Sequence, residues 1–210
     1  MDTDSPASPT IRDEEALRAQ FGSVGSLAAH KVLDHIDDYG RRFIALAPFL
    51  ILASTDASGN VDASPRGDTP GFVAVPDART LVIPDRRGNN RIDTFVNLLG
   101  NPGVGLIFLV PGINETLRVN GTAAMTRDSA LLEPLVAQGT VPVAGLVVRV
   151  REAFFHCGKA MIRASLWDPA RHIERSTFPS LGRILADQTA AATIPDAEAT
   201  IADAYRTRLY

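Results

Sequence analysis

Between Thr80 and Asn101 the chain sets a basic, glycine- and asparagine-containing loop between an apolar run and a helical pattern. Thr80-Leu81-Val82-Ile83-Pro84 is β-branched and apolar, then stopped by proline, which predicts a short strand. Asp85-Arg86-Arg87-Gly88-Asn89-Asn90 follows, then Arg91. Beyond it Ile92, Phe95, Val96 and Leu99 recur at helical spacing, with Asn90 expected at the N-cap and Asp93 as its capping-box partner. Gly100 with Asn101-Pro102 predicts the stop. A helix start exposes N–H groups carrying partial positive charge, and an arginine fork can take two phosphate oxygens at once. The chemistry of such a unit is anion binding, although a solvated basic loop with an ordinary cap has the same composition. No Walker pattern is present, and Gly103-Val104-Gly105 lacks the third glycine of a dinucleotide fingerprint.

Three further clusters carry reactive or polar groups. Ser64-Pro65-Arg66-Gly67-Asp68 places a hydroxyl, a guanidinium and a carboxylate on what reads as an irregular bend. Glu115-Thr116-Leu117-Arg118-Val119-Asn120-Gly121 reads as a strand with one polar face. Phe154-Phe155-His156-Cys157-Gly158-Lys159-Ala160 ends a strand and begins a helix. Neighbouring side chains on a strand point to opposite faces, so His156 and Cys157 are not expected to pair, and Cys157 reads as a buried structural residue. His30 and His35 are the wrong distance apart for one helix face, and the four histidines give no metal spacing.

The elements that must position these residues follow from pattern and composition. The chain has 210 residues, a formal net charge of −3 and one cysteine, which excludes an intrachain disulfide and argues against nucleic-acid binding. No apolar run is long enough to span a bilayer. The opening residues, acidic and rich in proline and serine, do not read as a signal or transit peptide, and a cytoplasmic protein is expected. Helices are expected at 13–20 and 26–36, and strands at 49–55, 61–64, 72–75, 80–83, 104–110, 116–125 and 143–155. A loop is expected at 65–71, further helices at 129–138 and 158–167, and a helical appendage beyond 168. Short strands at hairpin spacing with few helices between them predict a mainly β, α+β architecture, a small antiparallel barrel carrying helices.

Taken in order, these clusters resemble the pyridoxamine 5′-phosphate oxidase-like family of FMN-binding split barrels. The resembling segments are Ser64 to Asp68 with Gly71-Phe72, Pro84 to Arg91 with Asp93-Thr94 and Asn101-Pro102, the Glu115 to Gly121 strand, and His156 to Ala160 ending in Leu166-Trp167-Asp168-Pro169. The resemblance implies an antiparallel split β-barrel with flanking helices over 43–169. Residues 1–42 would form a helical segment before it, and 170–210 a helical appendage of the same domain. It also implies a homodimer with one FMN in each of two clefts between protomers. Arg66, Asn89, Asn90, Arg91 and Thr94 would hold the phosphate, and Pro84, Asp85, Arg86 and Arg87 would border the isoalloxazine. Thr116 and Lys159 would reach in from the second protomer. Glu115-Thr116 stands where the true oxidases carry Arg-Gln, and their substrate-binding Arg-Leu-His segment has no counterpart. The implied function is therefore an FMN-dependent oxidoreductase acting on a small molecule other than pyridoxamine 5′-phosphate. The alternatives are a flavin or haem carrier without turnover, with His156 as the haem ligand, and a deazaflavin-dependent reductase on the same fold.

Overall fold

The computed structural model describes residues 10–210. Its strands are β1 (Phe49–Thr55), β2 (Val61–Gly67), β3 (Ala74–Asp77), β4 (Thr80–Pro84), β5 (Gly103–Leu109), β6 (Thr116–Thr126) and β7 (Gly145–His156). The helices among the described residues are α1 (Glu14–Phe21), α2 (Ser26–His30), α3 (Asp38–Leu46), α4 (Asp93–Gly100), α5 (Ser129–Leu132), α6 (Lys159–Ala164), α7 (Leu181–Thr189) and α8 (Ile194–Thr207). All seven strands form one sheet in the order β2-β1-β5-β6-β7-β4-β3, and every pairing is antiparallel. The architecture is thus the expected α+β one, an antiparallel sheet with flanking helices.

Alternation builds the core. Leu50 and Leu52 of β1, Leu106 and Phe108 of β5, Leu117 and Val119 of β6, and Leu146 and Val148 of β7 sit two apart on one face of each strand and are buried. Each such side chain contributes about 1.5–3 kcal/mol on leaving water. On β4 the run Leu81-Val82-Ile83 is buried on both faces, which is why it reads as continuous rather than alternating. Phe43 of α3 meets Phe155 of β7 edge to face, ring centroids 5.4 Å apart.

Several local expectations are corrected. β2 continues through Pro65, Arg66 and Gly67 instead of breaking there. It is an edge strand, so the missing proline N–H leaves no ladder bond unmade. α3 is a helix the pattern did not announce. Gly40 and two arginines dilute its apolar face, yet Asp37 caps it by accepting from the Gly40 N–H at 2.7 Å. A Cβ at Gly40 would lie 3.1 Å from Ile36 Cγ2, so the glycine serves close packing. The helix expected over 26–36 ends at His30, and those expected over 129–138 and 158–167 also shorten to α5 and α6.

β7 is bulged. Asn120 pairs with Glu152 but Gly121 pairs with Val150, leaving Arg151 as the extra residue. Buried positions therefore switch from Leu146, Val148 and Val150 before the bulge to Ala153 after it. A Cβ at Gly121 would fall 2.0 Å from the Arg149 carbonyl oxygen, so only glycine fits opposite the bulge.

Leu33–Tyr210 forms one compact unit holding the whole sheet. The described residues before it carry α1, capped by Asp13 accepting from the Ala16 N–H at 2.8 Å, and the five-residue α2, and neither helix buries a residue.

Candidate functional site

The β4–α4 connection does not form the expected cap. Ile92, not Asn90, holds the N-cap position, and it supplies no side-chain acceptor to the helix. Asn90 (φ 61°) and Ile92 (φ 52°) both adopt left-handed backbone on either side of Arg91. For a β-branched isoleucine this is a costly conformation. α4 is held to the sheet by Asn97, whose amide donates to the buried Ser54 hydroxyl of β1 at 3.0 Å. That contact fixes the rotation of the helix. Phe95 and Leu98 pack against the core and Thr94 is buried, whereas Val96 and Leu99 face outward, Leu99 at 84% exposure. The expected apolar face of Ile92, Phe95, Val96 and Leu99 is therefore turned: only Phe95 of the four points inward.

Opposite the helix start lies Arg66. Its guanidinium donates to the Ser64 hydroxyl at 2.5 Å, to the Pro65 carbonyl at 3.0 Å and to the Thr94 hydroxyl at 3.2 Å. All three partners are neutral, and Arg66 makes no ion pair among the described residues. Burial lowers its pKa, with Asp85 and Asp62 acting in the opposite direction from a distance. Arg66 and Thr94 border a cleft of about 240 Å³ that Ser64, Asp85, Asn90 and Arg91 also line. Asp85 is half-buried, and burial raises its carboxyl pKa against the pull of Arg66 and Arg86.

The neighbouring arginine behaves differently. Arg86 Nε donates to Asp68 Oδ2 at 2.6 Å and its Nη2 donates to the Leu135 carbonyl at 2.9 Å. The Asp68 side chain is 1% exposed. Its other oxygen accepts from the Tyr210 hydroxyl at 2.8 Å, and the Arg86 guanidinium sits 5.8 Å from the Tyr210 ring centroid. Burial pushes the Asp68 carboxyl up, but the Thr69 N–H, Tyr210 and Arg86 outweigh it and hold it below the usual carboxylate range. The hydrogen bond to Asp68, ahead of burial, raises the tyrosine. Arg86 is thus neutralised and fixed, and Tyr210, which holds Asp68 and packs on Arg86, is a residue to which sequence reasoning assigned no place at the site. No local pattern joins residues 142 apart.

Of the residues expected at the site, Arg66, Asp85, Arg86, Asn89, Asn90, Arg91 and Thr94 come together around the one cleft. Pro84 and Arg87 line an adjoining depression of about 230 Å³ with Arg66, Asp85 and Arg86. Arg91 extends into solvent and pairs with Asp93 at 2.8 Å, an exposed contact. Thr116 and Lys159 line neither space in the single chain. Thr116 is buried at the start of β6 opposite His156, and Lys159 is exposed at the start of α6. Cys157 is exposed rather than buried, because it follows the last residue of β7 instead of lying within it. Among the described residues no three metal-ligating side chains gather, and no helix is long and apolar enough to cross a membrane.

Comparison with known proteins places this arrangement. The family model described as pyridoxamine 5′-phosphate oxidase matches residues 36–157, which includes β1 to β7 and the cleft. No curated protein matches the chain. Similar solved structures include HupZ of Group A Streptococcus (18% identity, TM-score 0.48), covering 57% of this chain and 93% of that one. General Stress Protein 26 of Bacillus anthracis matches at 13% identity and TM-score 0.41, over 54% and 88%. An FMN-binding protein of Syntrophomonas wolfei matches at 13% identity and TM-score 0.42, over 69% and 97%. These are likenesses at low identity, and none assigns this chain a ligand. The chain belongs to the pyridoxamine 5′-phosphate oxidase family.

Proposed function

We propose that this member of the family binds FMN and is an FMN-dependent oxidoreductase acting on a small molecule other than pyridoxamine 5′-phosphate. One observation carries the reading: a half-buried guanidinium, Arg66, faces a cleft with only neutral oxygens as partners. A desolvated cation whose hydrogen-bond partners are all neutral is costly, and a bound anion lowers that cost. The buried Thr94 hydroxyl and the start of α4 supply further polar groups at the same place, so the residues fit a phosphate monoester. Arg66 and Thr94 hold it, with Asn89, Asn90 and Arg91 at the mouth, while Pro84, Asp85, Arg86 and Arg87 border the ring system. The flavin, when bound, supplies the redox chemistry; the protein supplies orientation and electrostatics. Asp85, its pKa raised beside the cleft, is placed to hold or release a proton there.

The site is completed by a second copy of the chain. The outward Val96 and Leu99 of α4 support this, because they leave an apolar helix face beside the cleft without a cover. Thr116 and Lys159 of the partner copy would form the facing wall. The reading is of a homodimer in the cytoplasm.

The test is an absorption spectrum of the purified protein with mass spectrometry of the released ligand. FMN bands, or saturable FMN binding tighter than that of riboflavin, are expected, with light scattering giving a mass of two chains. A Soret band, a deazaflavin or equal affinity for both flavins overturns the assignment. Incubation of the FMN-loaded protein with pyridoxamine 5′-phosphate in air is expected to yield no peroxide above free FMN.

A further inference from the structure

A second cleft, of about 530 Å³, is lined by the same 85–90 loop. Asp85, Arg86, Gly88 and Asn90 line both clefts, so molecules in the two would meet across one stretch of backbone. Its far wall is the 140–143 segment, drawn in by the hydrogen bond from the Asp85 N–H to the Ala144 carbonyl at 2.9 Å. Val141, Pro142 and Val143 turn apolar surface to the space, and Val143 is 83% exposed. The Tyr210 ring forms another wall, its hydroxyl tied to Asp68 and its ring beside Arg86. The ring is thus held at its polar end by Asp68 and along its body by Arg86, and its remaining surface lines the cleft.

The two arginines of this cleft are unequal. Arg86 is committed to Asp68 and the Leu135 carbonyl. Arg87 makes no hydrogen bond or ion pair with any described residue, yet it lines the cleft beside the aromatic ring and the valines. An aromatic wall, a valine–proline wall and one uncommitted guanidinium define the complementary ligand. It must be flat and apolar over most of its area, with an anionic group at one edge.

We infer that the second cleft binds a planar aromatic carboxylate, its ring between Tyr210 and the 141–143 wall and its carboxylate on Arg87. That the ligand is the substrate rests on the FMN reading of the first cleft; that it binds does not. A carboxylate on Arg87 would lie against the 85–88 wall, next to whatever occupies the first cleft.

The experiment is isothermal titration of the purified protein with 2-naphthoate and with neutral 2-naphthol, alongside a separate titration with FMN. Saturable binding of 2-naphthoate at one per chain is expected, about tenfold tighter than 2-naphthol. Arg87→Ala should abolish that preference. Val143→Asp should weaken 2-naphthoate about tenfold or more and leave FMN affinity unchanged, which also shows that the variant folds. No saturable binding, equal binding of the neutral analogue, or an unaffected Val143→Asp variant overturns the inference. So does a Val143→Asp variant that halves the mass in solution while wild-type protein takes up no 2-naphthoate, since the wall is then an interface between copies. FMN binding without 2-naphthoate binding defeats this inference alone. The reverse result defeats the flavin reading alone.

Discussion

The Arg66 guanidinium donates to the Thr94 hydroxyl at 3.2 Å, joining the edge strand β2 to the first turn of α4 across 28 residues of sequence. The bond holds a cation at the mouth of a helix without neutralising it. A threonine hydroxyl can accept from the arginine and still donate to a ligand, which a carboxylate at position 94 could not do.

Replacing Arg66 by methionine keeps most of the side-chain volume and removes the charge. FMN affinity should fall by about 1.5–3 kcal/mol, roughly ten- to 150-fold, while riboflavin affinity stays the same, since only FMN has a phosphate to lose. Arg91→Ala should have the smaller effect, because Arg91 already pairs with Asp93 in solvent. Parallel fluorescence titrations with both flavins decide it. A larger loss at Arg91 would move the phosphate towards solvent.

Asp68→Asn removes the counter-charge of Arg86 from a site where the aspartate side chain is 1% exposed. Breaking a buried pair from one side costs about 3 kcal/mol, to be read as a lower urea midpoint at pH 7. The folded pKa of Asp68 lies below its unfolded value, so the native state binds fewer protons and this stability is fully present above about pH 4. It is lost as pH falls through the folded value. The gap between wild type and variant should therefore be flat from pH 7 to about pH 5 and narrow only in more acid solution.

The opposite sign holds for Asp85. Its folded pKa is raised, so the native state binds more protons than the unfolded one between the two values, and stability falls as pH rises through that window. Asp85→Asn should melt higher than wild type at pH 7, the difference shrinking as pH falls and vanishing only below about pH 4, where both states of the aspartate become protonated. If Asp85 moves a proton during turnover, the same variant should lose kcat while keeping FMN. A lower melting temperature at pH 7 would mean that attraction from Arg66 and Arg86 outweighs burial.

Ile92 occupies left-handed backbone with φ 52° and an exposed side chain. Glycine relieves about 1–2 kcal/mol of backbone strain and costs about 0.5–1 kcal/mol in unfolded-chain entropy. Ile92→Gly should therefore stabilise the chain by roughly 0.5–1 kcal/mol in urea unfolding. A decrease would indicate that the isoleucine side chain is covered in solution by another surface.

What the sequence determined by itself is the periodic and local part. Apolar alternation found the strands, because a half-buried strand must alternate whatever it packs against. The proline-stopped run before Asp85 and the helical spacing after it located the basic loop, and the family's ordered clusters brought Arg66 to the same place. The tertiary structure decided everything that depends on distant partners. β2 could run through Pro65 only because it became an edge strand. The bulge at Arg151 shifted the buried face of β7 in a way no alternation reveals. The Ser54–Asn97 bond turned α4 so that Val96 and Leu99 face outward. Two left-handed residues displaced the cap from Asn90 to Ile92. Above all, three arginines of one composition acquired different states: Arg66 desolvated without an ion pair, Arg86 locked between Asp68 and Tyr210, and Arg91 paired in solvent. Charge is written in sequence; burial and partnership, which set its energy, arise only when the chain folds.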